Sequence, residues 1–339
     1  MDCYQPSYLR TSRAKHYLVT GGCGFIGSHL VDELIAAGHS VTVLDDLSTG
    51  CEENLNPKAS LIVGDTADEQ TVLDAFADID GCFHLAAIAS VEKSTKEWRQ
   101  AHMVNLVSLI NVFLAASRAD PSVPVVYASS AAVYGNCPVI PTPETAPHRP
   151  LTAYGADKYA CDLQGKVAWL VHKVPNIGLR PFNVYGPRQN PDSPYSGVVS
   201  IFADRMRHGL PVTIYGDGRQ VRDFVYVGDA VKGFAAAMKK IEEPQQACSD
   251  VVNLCTGQPT SISGLANTIA AITGYSNRYV YEPARRGDIY ISIGDPAYLK
   301  HRLRLSFETT LEQGLMRMLE SDLVHANRQS QMAILSGRS

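Results

Sequence analysis

The stretch "KHYLVTGGCGFIGSHLVDELIAAGHSVTVLDD" (residues 15–46) decides the fold. It opens with a short β-rich run at 15–20, turns through a cluster of glycines, and continues as a helical pattern at 25–39. A second β-rich run at 40–46 follows and ends in two aspartates. Strand, glycine turn, helix and strand in this order predict a βαβ unit.

The glycine turn has the chemistry of a phosphate-binding loop. Small residues let the backbone approach a pyrophosphate, and a helix N-terminus offers free N–H groups and the positive end of its dipole. Asp45, at the end of the second strand, can accept hydrogen bonds from a ribose 2′-OH and would repel a 2′-phosphate. The pattern therefore predicts NAD rather than NADP. The turn residues expected to contact it are Gly21, Gly24, Phe25, Ile26 and Gly27.

Strand and helix patterns keep alternating through the first half of the chain. Apolar runs too short for ordinary helices alternate with longer helical patterns, among them 68–77 and 98–119. This alternation predicts an α/β fold, a Rossmann-like doubly wound parallel sheet, followed by a smaller mixed α/β substrate-binding domain. The expected division is a flexible extension (1–14), an NAD-binding domain (15–185) to which about 225–257 returns, a mainly substrate domain (186–325) and a tail (326–339).

Composition limits the possible partners. The chain has 339 residues and a formal net charge of −4, so no general attraction to nucleic acid or an anionic membrane is expected. No apolar run approaches the ~20 residues of a membrane span, and the N-terminus lacks the apolar core of a secretory signal. The eight cysteines form no CxxC pair and no metal-ligand spacing. A cytoplasmic protein with reduced thiols and no metal is therefore predicted.

The stretch "LTAYGADKYACD" (151–162) places Tyr154 and Lys158 four residues apart. Residues i and i+4 are neighbours on a helix surface, so the two side chains can reach one site. The spacing alone leaves a second interpretation open, in which the tyrosine is half-buried and the lysine is solvated.

Several motifs together resemble the extended short-chain dehydrogenase/reductase family. They are the glycine spacing 21–24–27, "VVYASSAAVYG" (125–135), "YGADK", "LRPFNVYGPRQ" (179–189) and "VRDFVYVGDA" (221–230). The resemblance covers roughly residues 15–320 and is greatest to UDP-hexose 4-epimerases. It implies that Tyr154 is the catalytic tyrosine, Lys158 its lysine and Ser130 the partner hydroxyl, and that Tyr154 and Lys158 also contact the cofactor.

General chemistry supports these roles. A tyrosine is a poor base at neutral pH, and nearby positive charges favour its phenolate. A phenolate can take a proton from a sugar hydroxyl while the carbon gives hydride to NAD. Related dehydratases and decarboxylases carry carboxylates just after the serine, where this chain has Ala131 and Ala132. The resemblance therefore favours return of the hydride to the opposite face of C4, which is epimerisation.

The resemblance also implies the remaining contacts of the site. Asp65 would lie by the adenine, Leu85, Ala86 and Ala87 by the pyrophosphate and ribose, and buried Asn105 would steady the backbone beside the cofactor. Ala89 departs from the family, in which many members have a longer polar residue. The implied substrate contacts are Ser130, Asn183, Arg222, Arg285, Asp288 and Ser292, the last beside the C2 substituent of the sugar, where a small residue leaves room for an N-acetyl group.

Two alternatives stay open. One is a UDP-uronate 4-epimerase or another sugar-nucleotide oxidoreductase, and the other is a dinucleotide sensor without catalysis, which is disfavoured because both Tyr154 and Lys158 are present. The helical stretches 98–119 and 152–173 resemble those that pair two subunits as a four-helix bundle. A homodimer that binds a UDP-sugar and no nucleic acid or membrane is therefore expected.

Overall fold

A computed structural model describes residues 13–190, 197–284 and 288–321. A seven-stranded, wholly parallel sheet organises the first part of the chain, with strand order β10-β6-β5-β4-β1-β2-β3. The strands in chain order are β1 (His16–Thr20), β2 (Ser40–Asp45), β3 (Ser60–Val63), β4 (Gly81–His84), β5 (Val125–Ala128), β6 (Asn176–Pro181), β7 (Asn183–Tyr185), β8 (Val212–Tyr215), β9 (Val221–Tyr226), β10 (Ser249–Leu254), β11 (Pro259–Ser261), β12 (Tyr279–Glu282) and β13 (Ile291–Ser292).

Helices cover both faces of the seven-stranded sheet, and further helices pack on the strands that follow it. They are α1 (Phe25–Ala36), α2 (Glu69–Ala75), α3 (Val91–Lys96), α4 (Trp98–His102), α5 (Ser108–Ser117), α6 (Ala153–His172), α7 (Val198–Arg207), α8 (Val227–Ile241), α9 (Ile262–Thr273) and α10 (Ala297–Arg302), with a further helical stretch at 311–321. Apolar side chains of α1 and α8 pack on one face of the sheet, and those of α2, α5 and α6 on the other. The predicted Rossmann-like α/β fold is confirmed.

The strand order reverses between β1 and β4, and this reversal locates the site. From β1 the chain adds β2 and β3 on one side, then returns to add β4, β5 and β6 on the other. Connections leave the neighbouring strands β1 and β4 in opposite directions, which opens a crevice at their carboxyl ends. The glycine turn after Thr20 and the segment after His84 therefore meet at one place.

Two predicted elements differ in detail. The apolar run 81–87 is a strand only as far as His84, because Leu85–Ala87 leave the sheet at its carboxyl edge. The helix expected at 98–119 runs from α4 to α5 through a π-helical turn at Met103–Val107. Within the described ranges this helix, Trp98–Ser117, is the one long and apolar enough to cross a membrane, and 56% of its most apolar stretch is buried inside the fold.

A second sheet lies beyond β6. Strand β9 pairs with β11, β13 and β7, and β8 pairs with β12. Apolar side chains of α7, α9 and the 311–321 helix build a separate core against these strands. Strand β10 nevertheless belongs to the first sheet, and α8 packs against α1. The seven cysteines in the described part of the chain carry free thiols.

Candidate active site

The glycine turn is packed so closely that side chains have no room. Gly21 has a positive φ of 71°, and a Cβ there would stand 2.7 Å from the amide nitrogen of Ala86. A Cβ on Gly27 would collide with the carbonyl oxygen of Gly21. Gly24 caps α1 without any side-chain hydrogen bond, so the N–H groups of the first helical turn stay available. A cradle of bare backbone at a helix N-terminus fits the pyrophosphate of a dinucleotide.

Asp45 stands beside this cradle at the end of β2. Its carboxylate accepts the backbone N–H of Cys23 on one oxygen and that of Leu47 on the other, each at 2.9 Å. Burial raises the pKa of Asp45, against the effect of these two hydrogen bonds. A carboxylate has about four acceptor positions, so positions remain for ribose hydroxyls. The arrangement fits NAD.

The segment after β4 is held from the helix above it. Asn105, fully buried in the π-helical turn, accepts the N–H of Ile88 at 2.8 Å and donates to its carbonyl at 3.3 Å. These two bonds fix the backbone just beyond Leu85–Ala87. Asp65, after β3, is exposed, and its carboxylate accepts the N–H of Ala67 at 2.8 Å. Contact of these residues with a cofactor stays a prediction.

Two of the three predicted catalytic residues, Tyr154 and Lys158, lie together on α6, and Lys158 bonds to the end of β5 just before Ser130 in the chain. The Lys158 ammonium is buried and donates to the Ala128 carbonyl at 2.7 Å, and it lies 5.8 Å from the centre of the Tyr154 ring. Ser130, two residues after Ala128, accepts the N–H of Ala132 at 3.1 Å. The interpretation with a solvated lysine is therefore wrong, since the lysine is buried between helix and strand.

Close packing at the start of α6 explains the small residue between tyrosine and lysine. Thr152 caps the helix by accepting the N–H of Gly155 at 3.0 Å. A Cβ on Gly155 would stand 2.7 Å from the Ala132 carbonyl oxygen. Only glycine lets the helix approach the short turn Ala131–Val133 that follows Ser130.

Three of the predicted substrate residues, Asn183, Arg222 and Ser292, lie on strands of the second sheet. Ser292 lies opposite Arg222 in the parallel pairing of β13 with β9. The Arg222 guanidinium contacts Asp288 at 2.6 Å, and burial lowers the pKa of Arg222. Asn183, in β7, donates to the Asp223 carbonyl at 3.2 Å. Arg285 lies outside the described residues.

Sequence reasoning missed three buried polar residues that shape the site. Arg180 forms a buried ion pair with Asp162, one turn beyond Lys158, through contacts of 2.8 and 3.0 Å. Asp223 accepts backbone N–H groups of Thr256 and Gly257, each at 2.9 Å. His84 occupies the end of β4. Arg180 and His84 stand inside apolar runs, and a lone polar residue in such a run is the signal that identifies them, whereas Asp223 follows Arg222 and carries no such signal.

Comparison with known proteins agrees with this geometry. Residues 17–255 match the model of the NAD dependent epimerase/dehydratase family. The putative UDP-glucose 4-epimerase of Methanocaldococcus jannaschii is 37% identical over 276 residues, which cover 80% of this chain and 87% of that protein.

Two solved structures have the same fold throughout. A UDP-glucose 4-epimerase with UDP-glucose from Thermotoga maritima superposes with a TM-score of 0.87 at 36% identity, covering 92% of this chain and 99% of that one. A UDP-N-acetylglucosamine 4-epimerase from Methanobrevibacter ruminantium, in complex with UDP-N-acetylmuramic acid, also scores 0.87, at 32% identity and the same coverages. The match over residues 17–255 and the similarity to these relatives show that the chain belongs to the NAD-dependent epimerase/dehydratase family, within the extended short-chain dehydrogenases/reductases.

Proposed function

We propose that this protein catalyses the reversible C4 epimerisation of a UDP-hexose, with NAD as its cofactor. The observation that carries the proposal is the buried Lys158, which donates to the Ala128 carbonyl and lies 5.8 Å from the centre of the Tyr154 ring. Related proteins named as UDP-sugar 4-epimerases support it.

Each side chain has a role in the proposed reaction. Tyr154 takes the proton of the C4 hydroxyl and later returns it, Ser130 hydrogen-bonds the same oxygen, and the positive charge of Lys158 favours the phenolate. When bound, NAD would supply the hydride acceptor and donor for C4. If the keto sugar turns over before the hydride returns, C4 is inverted. Since positions 131 and 132 are alanines, they offer no carboxylate for elimination or decarboxylation.

The cofactor would be held by the glycine cradle and Asp45, with Leu85–Ala87 on its other side. Substrate phosphates would meet Arg222 and Arg285, with Asn183 and Asp288 beside the nucleotide. Guanidinium groups suit phosphate oxygens because they donate in a planar fork. These assignments extend the family resemblance to the positions found together on β7, β9 and β13.

The size of Ser292 favours an N-acetylated substrate. Ser292 is half-buried and lies opposite Arg222. A serine cannot obstruct an acetamido group, and its hydroxyl can hydrogen-bond to it. We therefore propose UDP-N-acetylglucosamine and UDP-N-acetylgalactosamine as substrates, probed alongside UDP-glucose and UDP-galactose.

We further propose a homodimer through α4, α5 and α6. Helix α6 exposes four apolar side chains at helical spacing, Leu163, Val167, Leu170 and Val171, of which Leu170 is 68% exposed. Such a stripe is stabilised when a second copy covers it. Light scattering that gives twice the chain mass supports the dimer, and a monomer at micromolar concentration excludes it. The domain division and the cytoplasmic location stay predictions.

One experiment tests the reaction. Purified protein is incubated with UDP-N-acetylglucosamine, UDP-glucose or UDP-glucuronate without added cofactor, the products are separated, and nucleotide released by acid is identified. We expect the 4-epimers of the first two sugars and co-purified NAD(H). Three results would each contradict the proposal: conversion of UDP-glucuronate alone, net oxidation of the sugar, or a strict need for NADP.

A further inference from the structure

A chain of buried hydrogen bonds runs from the cofactor side of the sheet into the helix above it. His84, Thr20 and Ser108 are all buried, with His84 2% exposed. The His84 ring lies 2.8 Å from the Thr20 hydroxyl through Nδ1 and 3.4 Å from the Ser108 hydroxyl through Nε2. At the two ends, the Ala86 N–H donates to Thr20 at 3.3 Å and Ser108 donates to the Val104 carbonyl.

The partners at the two ends fix the direction of the Ser108 bond and leave the Thr20 hydroxyl free to donate. A carbonyl only accepts, so the single proton of Ser108 goes to Val104, and Ser108 must accept from the Nε2–H of His84. A backbone amide only donates, so Thr20 accepts from Ala86 and has its own proton free for Nδ1 of His84. A neutral imidazole with its proton on Nε2 satisfies the whole chain.

The electrostatic surroundings of His84 agree with this neutral ring. Complete burial, together with the positive charge of Lys158, lowers the pKa of His84 to about 3. A protonated ring would also present two donors, so Nδ1 could no longer accept the Thr20 proton.

This chain ends at the segment that faces the cofactor. Thr20 precedes the glycine turn, and the Ala86 nitrogen lies where a Cβ of Gly21 would be. Asn105 lies on the same helix as Ser108, and its side chain forms two hydrogen bonds with the backbone of Ile88. The segment 85–87 is thus held at both ends by one helix, through His84 on one side and Asn105 on the other.

We propose that His84 is a positioning residue, which as the neutral Nε2–H tautomer sets the place of Leu85–Ala87 and, through Thr20, the orientation of the Ala86 amide, so that bound NAD is correctly aligned. This inference rests on NAD being the cofactor in the proposed function. No family motif assigned a role to His84; the directed bonds carry it.

The test removes the connection without touching His84. In Thr20→Val, His84 loses its hydrogen-bond donor and the Ala86 N–H loses its acceptor, while the side-chain volume changes little. The matched control is Thr42→Val on β2, since the Thr42 hydroxyl also lies 2.9 Å from a histidine, His16 Nε2, in the same sheet but away from the carboxyl ends of the strands. NAD affinity is measured by calorimetry on protein stripped of nucleotide, and kcat separately from KM for the sugar.

We expect Thr20→Val to weaken NAD binding by about 5- to 150-fold, because unmatched buried partners have costs of this order, and Thr42→Val to leave it unchanged. Equal affinities in the two variants would overturn the proposal. If Thr20→Val does not fold, Ser108→Ala is tested in its place. We expect Ser108→Ala to weaken NAD binding by a smaller factor, and an NAD affinity equal to that of Thr42→Val would again overturn the proposal.

A spectroscopic measurement reads the tautomer directly. In NAD-bound protein with ¹⁵N-labelled histidines, the two-bond ¹H–¹⁵N spectrum should contain one ring, absent in His84→Asn, that stays in the neutral Nε2–H form from pH 5.5 to 9. Titration of that ring in this range, or the Nδ1–H form, would contradict the proposal. Neither NAD affinity nor the spectrum requires sugar turnover, so failure of the epimerase assay leaves this test intact.

Discussion

Two ion pairs, one in each sheet, show how differently the two halves of the molecule use charge. In the seven-stranded sheet, Arg180 and Asp162 are 3% and 2% exposed, and the guanidinium also donates to the Tyr134 hydroxyl at 2.7 Å. In the second sheet, Arg222 and Asp288 are 15% and 32% exposed. The first pair is enclosed by protein and is part of the scaffold under α6. The second remains open to solvent and to an anionic ligand.

The difference indicates a division of labour. In the seven-stranded sheet these buried polar groups bond to one another. In the second sheet a guanidinium is paired with a carboxylate that a diphosphate would displace if Arg222 is the proposed phosphate anchor. The first half should therefore respond to substitution in stability and in the chemical step, and the second in substrate affinity and selectivity.

Tyr154→Phe should have the largest effect. The change removes the acid–base oxygen and almost no volume, and general acid–base groups contribute ~10²–10⁴-fold to rate. We expect kcat to fall by that factor while NAD affinity and the thermal midpoint stay as in the wild type. Near-normal turnover would remove Tyr154 from the mechanism.

Asp162→Asn should destabilise the protein without any direct contact with ligand. It leaves the buried Arg180 charge unpaired, and breaking a buried pair by removing one partner costs about 3–5 kcal/mol. Chemical denaturation measures the loss. Glu69→Gln is the control, because it breaks the exposed contact with Arg118 at 3.0 Å, and we expect little change there. Equal losses in the two variants would show that burial does not distinguish these pairs.

Ser292→Tyr should alter selectivity more than stability. Overfilling a packed pocket costs ~1–3 kcal/mol, so kcat/KM for the N-acetylated pair should fall by about 5- to 150-fold relative to UDP-glucose and UDP-galactose. The ratio of the two efficiencies in wild type and variant is the quantity to compare. Constancy of that ratio would mean that Ser292 does not lie beside the C2 substituent.

Asp288→Asn should have the smallest effect. A partly exposed ion pair contributes less than about 1 kcal/mol, so unfolding should hardly change. Inorganic diphosphate should bind about two- to fivefold more tightly, because Arg222 loses its competing partner, whereas UDP should bind more weakly if Asp288 also contacts the ribose. Unchanged diphosphate affinity would argue against Arg222 as a phosphate anchor.

Local patterns in the sequence were sufficient for the fold and for much of the site. The order of strand, glycine turn, helix and acid predicts the βαβ unit with Asp45, because each feature depends on residues close in the chain. The spacing of Tyr154 and Lys158 also predicts that their side chains are neighbours, since both lie on α6. The role of Ser130 beside them was expected only from the family resemblance, because spacing along the chain does not report which strand a helix packs on.

Tertiary structure alone decided how the polar groups are paired. His84 becomes a neutral connector because β1, β4 and the helix above them close around it, and Asp162 is buried because Arg180 arrives from β6. These partners come from distant parts of the chain, and the cost of burying an unpaired polar group selects the packing that joins them. A sequence displays the polar residue inside an apolar run, but only the folded arrangement determines what it binds.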